Sequence, residues 1–161
     1  LILRDLDLLA ELDRRHALSV NVTITTLDAA LARRMEQHAP DPRARLRTVA
    51  ALAAEGITTR VNCMPLMPGI NDGEETLRPL LEAVRDAGAH DIAASALFLR
   101  PAARARFWPW LKEEFPNLAT RYRRLYGNRD YLGERSRNEL MGTFRRLRLE
   151  LGFPRVVAGR G

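Results

Sequence analysis

Asn21, Thr23 and Thr25 stand at every second position of Leu18-Ser-Val-Asn-Val-Thr-Ile-Thr25, alternating with Leu18, Val20, Val22 and Ile24. An extended chain sends successive side chains to opposite faces, so this stretch has one apolar face and one row of amide and hydroxyl groups. Such a row either offers hydrogen bonds to a polar ligand such as a ribose, or faces water. Inside a fold it needs partners. A second set of residues follows in Val61-Asn-Cys-Met-Pro-Leu-Met-Pro-Gly-Ile-Asn-Asp-Gly-Glu-Glu75. This stretch begins as a strand, breaks at Pro65, Pro68 and Gly69, and restarts as a helix. The prolines hold an irregular exit, and Gly69 admits backbone where a side chain does not fit. Met64, Pro65 and Leu66 offer an apolar shelf for a flat ligand. Asn71 or Asp72 is placed to cap the helix, whose first turn gains from Glu74 and Glu75.

Other reactive side chains carry less. Cys63 is the only cysteine, so the chain can form no internal disulfide and no multi-cysteine metal site. Its place in a strand predicts a buried, inert thiol. His16, His38 and His90 fall near helix ends or turns and read as surface capping residues. Phosphate-loop, dinucleotide-fingerprint and metalloprotease-helix patterns are absent. Phe107, Trp108 and Trp110 read as an anchor for C-terminal helices; aromatics interleaved with arginines also suit base stacking. Net charge is +6, carried almost wholly by arginine. It concentrates after Arg100, in Arg121-Tyr-Arg-Arg124 and Arg145-Arg-Leu-Arg148. These segments read as solvated helix faces, or as a patch for phosphate or nucleic acid.

The elements that must position these residues alternate. Asp5 to His16 has a helical apolar face. Leu18 to Thr25 is the first strand. A helix runs from Thr26 or Asp28 to about His38, and another from Pro42 to Ala54 with Gly56 closing it. Ile57 to Met64 is the second strand, Glu74 to Ala87 a helix, and Asp91 to Leu99 the third strand. After Pro101 the pattern is helical: Ala103 to Phe115 with a break near Pro109, Asn117 to Tyr126, and Ser136 to Leu151. Gly152-Phe-Pro154 and Ala158 to Gly161 read as a loose tail. Strands joined by helices lie parallel. Their ends, Thr25 to Asp28, Met64 to Asp72 and Leu97 to Pro101, therefore share one edge, where α/β proteins bind ligands. Three strands do not close a barrel, which takes about eight, and the edge at Asn21 is expected to be covered, paired in a dimer, or poorly behaved in isolation.

A chain of 161 residues is long enough for one domain with a core. No apolar run approaches the roughly 20 residues of a membrane span, and no secretory signal is visible; the lone cysteine, with no internal disulfide, fits a cytoplasmic location. The chain opens on Leu1-Ile-Leu-Arg-Asp-Leu, which reads as entry partway through a fold.

Four blocks carry a resemblance. They are Leu1 to Leu9, Val20-Asn-Val-Thr-Ile-Thr-Thr-Leu-Asp28, Arg34-Met-Glu-Gln-His-Ala-Pro40 and Cys63-Met-Pro-Leu-Met-Pro-Gly-Ile-Asn-Asp72. In order and spacing they resemble the radical SAM superfamily, and among its members the bacterial proteins similar to spore photoproduct lyase. Phe107 to Phe115 and Tyr126 to Tyr131 also resemble that group's C-terminal part. The resemblance implies an α/β fold: residues 1–101 would be the C-terminal half of a partial (β/α)6 barrel, with three parallel strands and helical crossovers. Residues 102–161 would be a helical C-terminal extension. It implies S-adenosyl-L-methionine across the C-terminal strand ends, bound to a 4Fe–4S cluster, and reductive cleavage to a radical that takes hydrogen from substrate. Thr23, with Asn21 and Thr25, matches the hydroxyl that meets the ribose or methionine part. Met64, Pro65 and Leu66 match the adenine side, and Leu97 the strand end that closes it. The family's CxxxCxxC triplet is missing, so the cluster's cysteines and the first three strands would lie before Leu1. The implied partners are the protein's own N-terminal half-barrel, an electron donor and DNA, with no membrane. Alone, the chain would be inactive. The competing readings are a non-catalytic basic α/β module that binds nucleic acid, and an inactive truncated product.

Overall fold

The computed structural model describes residues 2–36 and 38–154. Three parallel strands form the sheet, in the order β1 (Ser19–Thr23), β2 (Thr58–Leu66), β3 (Asp91–Ala96). Seven α-helices accompany it among the described residues: α1 (Leu6–His16), α2 (Ala29–Met35), α3 (Pro42–Ala54), α4 (Glu74–Asp86), α5 (Pro101–Glu114), α6 (Ala119–Tyr126) and α7 (Glu134–Glu150). Parallel pairing puts Thr23, Leu66 and Ala96 at one edge, as the βα alternation requires.

Side-chain alternation assigns the faces. Val22, Val61 and Ile92 are in register and point toward α3, α4 and α7. The core there is Val49, Cys63, Leu77, Leu80, Leu81, Val84, Phe144 and Leu147 with those strand residues, nearly all without solvent contact. On the other face Asn21 is in register with Arg60, and Thr23 with Asn62; Asn21, Thr23 and Arg60 are exposed. Parallel sheets are usually covered on both faces, so this polar face and the outer edge of β1 are open surfaces of the described chain.

Local chemistry sets most boundaries. Asp28 caps α2 by accepting the amides of Ala30 and Leu31, and Asp41 caps α3 with Pro42 at its first turn. Gly56 and Gly88 end α3 and α4 at φ of 77° and 80°. Several expected bounds shift. α2 ends at Met35, not His38, because Glu36 leaves helical geometry at φ −143°. β2 runs on to Leu66, through a register irregularity after Cys63, whereas β3 stops at Ala96. α5 starts at Pro101 and passes through Pro109 unbroken; Leu111, Phe107 and Trp110 pack on either side of it and hold the helix together. The tail is only partly loose: Phe153 is buried and its amide donates to Arg148 O, while 158–161 lie outside the described residues.

Two contacts fix α7. Arg146 and Arg78 bridge Glu74 and Glu150 between α4 and α7. Hydrogen bonds from Arg78 and then Arg146 hold the Glu74 carboxyl below its ordinary range. Arg148 is buried, although its segment reads as a solvated face. Its Nε donates to Ile92 O at 2.9 Å and its Nη2 to Asp91 Oδ1 at 2.6 Å, which ties α7 to the start of β3.

Candidate functional site

Two cavities open at the shared strand edge, and Glu36 borders both. The larger, about 390 Å³, is apolar. Pro65 and Met67 from the exit of β2 and Leu97 and Leu99 from the exit of β3 form one wall. The opposite wall is α5, through Ala103, Arg106, Phe107 and Trp110. These four fall at i, i+3, i+4 and i+7, one face of a helix. Met35 and Glu36, at the end of α2, close a third side.

α2 is strapped over this cavity. Trp110 Nε1 donates to Arg34 O at 2.8 Å. Arg34 donates to the Glu114 carboxylate and backbone carbonyl, and its guanidinium lies 4.0 Å from the Phe115 ring centre. Behind the α5 wall, Phe107 packs on Tyr122, and Tyr122 stacks on Tyr126, whose hydroxyl donates to Leu97 O at 2.8 Å. The aromatic anchor expected from Phe107 to Trp110 is therefore also a cavity wall.

The smaller cavity, about 250 Å³, lies between the end of β1 and helices α2 and α3. Thr25, Thr26, Arg33, Glu36 and Arg45 give it a polar lining. Arg45 is committed there: it donates to Thr23 O at 2.6 Å and to Glu36 Oε2 at 2.6 Å.

The expected site residues distribute as follows. Pro65 and Leu97, 32 positions apart in sequence, meet in the apolar cavity. Thr25 is buried and lines the polar one. Asn21 and Thr23 stand exposed on the open sheet face, and Met64 is half-buried. Leu66 is fully buried in the core and borders neither cavity. It forms no part of an exposed shelf, because the irregularity after Cys63 turns its side chain inward.

Asn71 is not the cap that its position before a helix suggests. The N-cap of α4 is Gly73, without a side-chain bond, and Asp72 instead accepts the Gly69 amide. Asn71 is fully buried. Its Nδ2 donates to Thr25 O at 3.2 Å and to Pro65 O at 3.1 Å, and its Oδ1 accepts the Met67 amide at 2.7 Å. One side chain thus joins the exit of β1 to the exit of β2, between the two cavities. No pattern in the sequence marks it; a polar residue three positions ahead of a helix reads as a cap unless the far carbonyls are known. Arg106 had a visible signal: it interrupts the apolar face of α5.

Cys63 is the core thiol expected. It has no exposure, and burial pushes its thiol up to about 12. Among the described residues, no three His, Cys, Asp or Glu side chains converge as a metal site. These residues therefore do not fit an iron–sulfur cluster. No helix among them is long and apolar enough to cross a membrane.

No protein-family model matches the chain, and no solved structure does. It is 37% identical over 132 residues to "Uncharacterized protein Rv2578c" of Mycobacterium tuberculosis. It matches "Uncharacterized protein Mb2609c" of Mycobacterium bovis to the same extent. Each match takes in 82% of this chain and 39% of the relative, so the chain spans well under half the length of the curated relatives it matches.

Proposed function

We propose that this chain is the S-adenosylmethionine-binding side of a radical SAM enzyme related to spore photoproduct lyase. Within that reading the α/β sheet is the C-terminal half of a partial barrel. One observation carries it: Pro65 and Leu97, assigned by resemblance to the adenine, lie together in an apolar cavity at the common end of parallel strands. The size and apolar, aromatic lining of that cavity suit a purine. Thr23 and Asn21 present hydroxyl and amide groups on the open face, where the ribose and methionine part would reach them.

The 4Fe–4S cluster would supply the electron for cleavage, and its ligands would come from outside the described residues. In this reading the open sheet face and the free edge of β1 are covered by the protein's own N-terminal half-barrel. An electron donor is the further partner. DNA is the substrate that the resemblance implies. α6 favours a polyanion, since Arg121, Arg123 and Arg124 are exposed and make no ion pair among the described residues.

Thr23→Val keeps the shape of an exposed strand residue and removes only the hydroxyl. In the protein joined to its upstream segment and loaded with a cluster, calorimetric titration should show S-adenosylmethionine affinity about tenfold weaker, the order expected for one hydrogen bond to a charged ligand. Its unfolding midpoint should hardly move. Unchanged affinity would remove Thr23 from the site.

A further inference from the structure

The apolar cavity has one feature that the purine reading does not use. Eight of its ten lining residues are apolar, and the two charged ones differ in state. The Glu36 carboxylate is already engaged by Arg45. Arg106 is exposed and has no carboxylate or other side-chain hydrogen-bond partner among the described residues. It also lies on the cavity side of α5. It shares the helix face of Ala103, Phe107 and Trp110, the face that α5 turns to the cavity. Arg129, by contrast, has its guanidinium satisfied by a local carbonyl, Leu125 O. An unpaired guanidinium lining a mostly apolar cavity is a recognition element for a carboxylate, phosphate or sulfonate. A pocket of this size, mostly apolar with a few convergent polar groups, is the usual form of a small-molecule site.

We infer that this cavity binds a small anion with a flat apolar body, held against Phe107 and Trp110 and recognised through its charged group by Arg106. The adenine of S-adenosylmethionine is assigned to the facing wall of Pro65 and Leu97, so the anion on the α5 wall is a second molecule. Where both readings hold, Arg106 meets the second molecule of the reaction, on the wall that α5 adds to the strand ends. The inference needs neither cluster nor cofactor, so its failure and the failure of the S-adenosylmethionine reading are separate events.

The probe is anilinonaphthalene sulfonate, a flat apolar anion whose fluorescence rises on burial, with neutral phenylnaphthylamine as its uncharged counterpart. The folded protein should bind both, and Arg106→Ala should weaken the sulfonate about tenfold or more while leaving the neutral dye within about twofold. Arg106→Lys should restore part of the loss. Ala103→Trp, an exposed position on the same helix face, should fill the cavity and exclude both dyes without removing any core contact. Naphthoate and naphthyl phosphate should displace the sulfonate, and their order identifies the preferred anion. Any of three results overturns the inference: Arg106→Ala leaves sulfonate binding unchanged, it weakens both dyes equally, or Ala103→Trp, folded by circular dichroism, leaves both dyes bound.

Discussion

Replacing Asn71 by alanine is expected to lower stability by about 3 kcal/mol, from three buried hydrogen-bonding groups at roughly 1 kcal/mol or more each. The Met67 amide loses its acceptor, and Thr25 O and Pro65 O lose a donor. All of this happens at a fully buried site where water cannot substitute. Asn71→Asp should be no better. It keeps an acceptor for Met67 N but turns a second oxygen toward two carbonyl oxygens. Urea unfolding gives the measurement, and a loss below about 1 kcal/mol would show that the three bonds are not made together. The consequence extends to the site. Thr25 lines one cavity and Pro65 the other, so their separation is set by this side chain. In an osmolyte that restores folding, Asn71→Ala should still bind the naphthalene dyes more weakly than the parent chain.

Arg148→Met is expected to cost about 3 kcal/mol, the low end for breaking one side of a buried ion pair. Methionine fills much of the volume but leaves Ile92 O without its donor and Asp91 without its cation. The Asp91 side chain retains 25% exposure, which is why the low end applies. Asp91 also accepts the Ile92 amide at 2.7 Å, so Asp91→Ala removes two bonds at the start of β3. The double variant Asp91→Ala/Arg148→Met should be less damaged than the sum of the singles, because no unpaired charge is left behind. Strict additivity would mean that the two residues do not act as a pair.

The sheet was legible in the sequence for a simple reason. Period-two alternation in Leu18 to Ile24 and the punctuation at Asp28, Pro42, Gly56 and Gly88 are local signals, and local geometry obeyed them. The shared strand edge then followed from parallel pairing alone. What stayed hidden depends on partners distant in sequence. Arg148 looks like the third charge of a basic run, yet it falls four residues after Phe144 and seven after Met141, on the buried face of α7. Only the strand carbonyl and Asp91 beneath that face explain why an arginine is tolerated there. Asn71 is the same case in the other direction, since its nearest sequence neighbours offer it a capping role that the turn denies. Leu66 shows how a single register irregularity moves a residue from an expected shelf into the core. The cavity walls required α5 to fold back over Pro65 and Met67, more than thirty residues earlier in the chain; its i, i+3, i+4, i+7 face was readable, but what that face met was not.

We propose that the strand-end cavity serves S-adenosylmethionine cleavage. Its most direct test is 5′-deoxyadenosine formation by the protein carrying its upstream segment, reconstituted anaerobically with iron and sulfide and reduced with dithionite. S-adenosylmethionine is expected to yield 5′-deoxyadenosine and methionine, with the yield falling in Asn71→Ala. An intact cluster, verified spectroscopically, that forms no 5′-deoxyadenosine would contradict the claim.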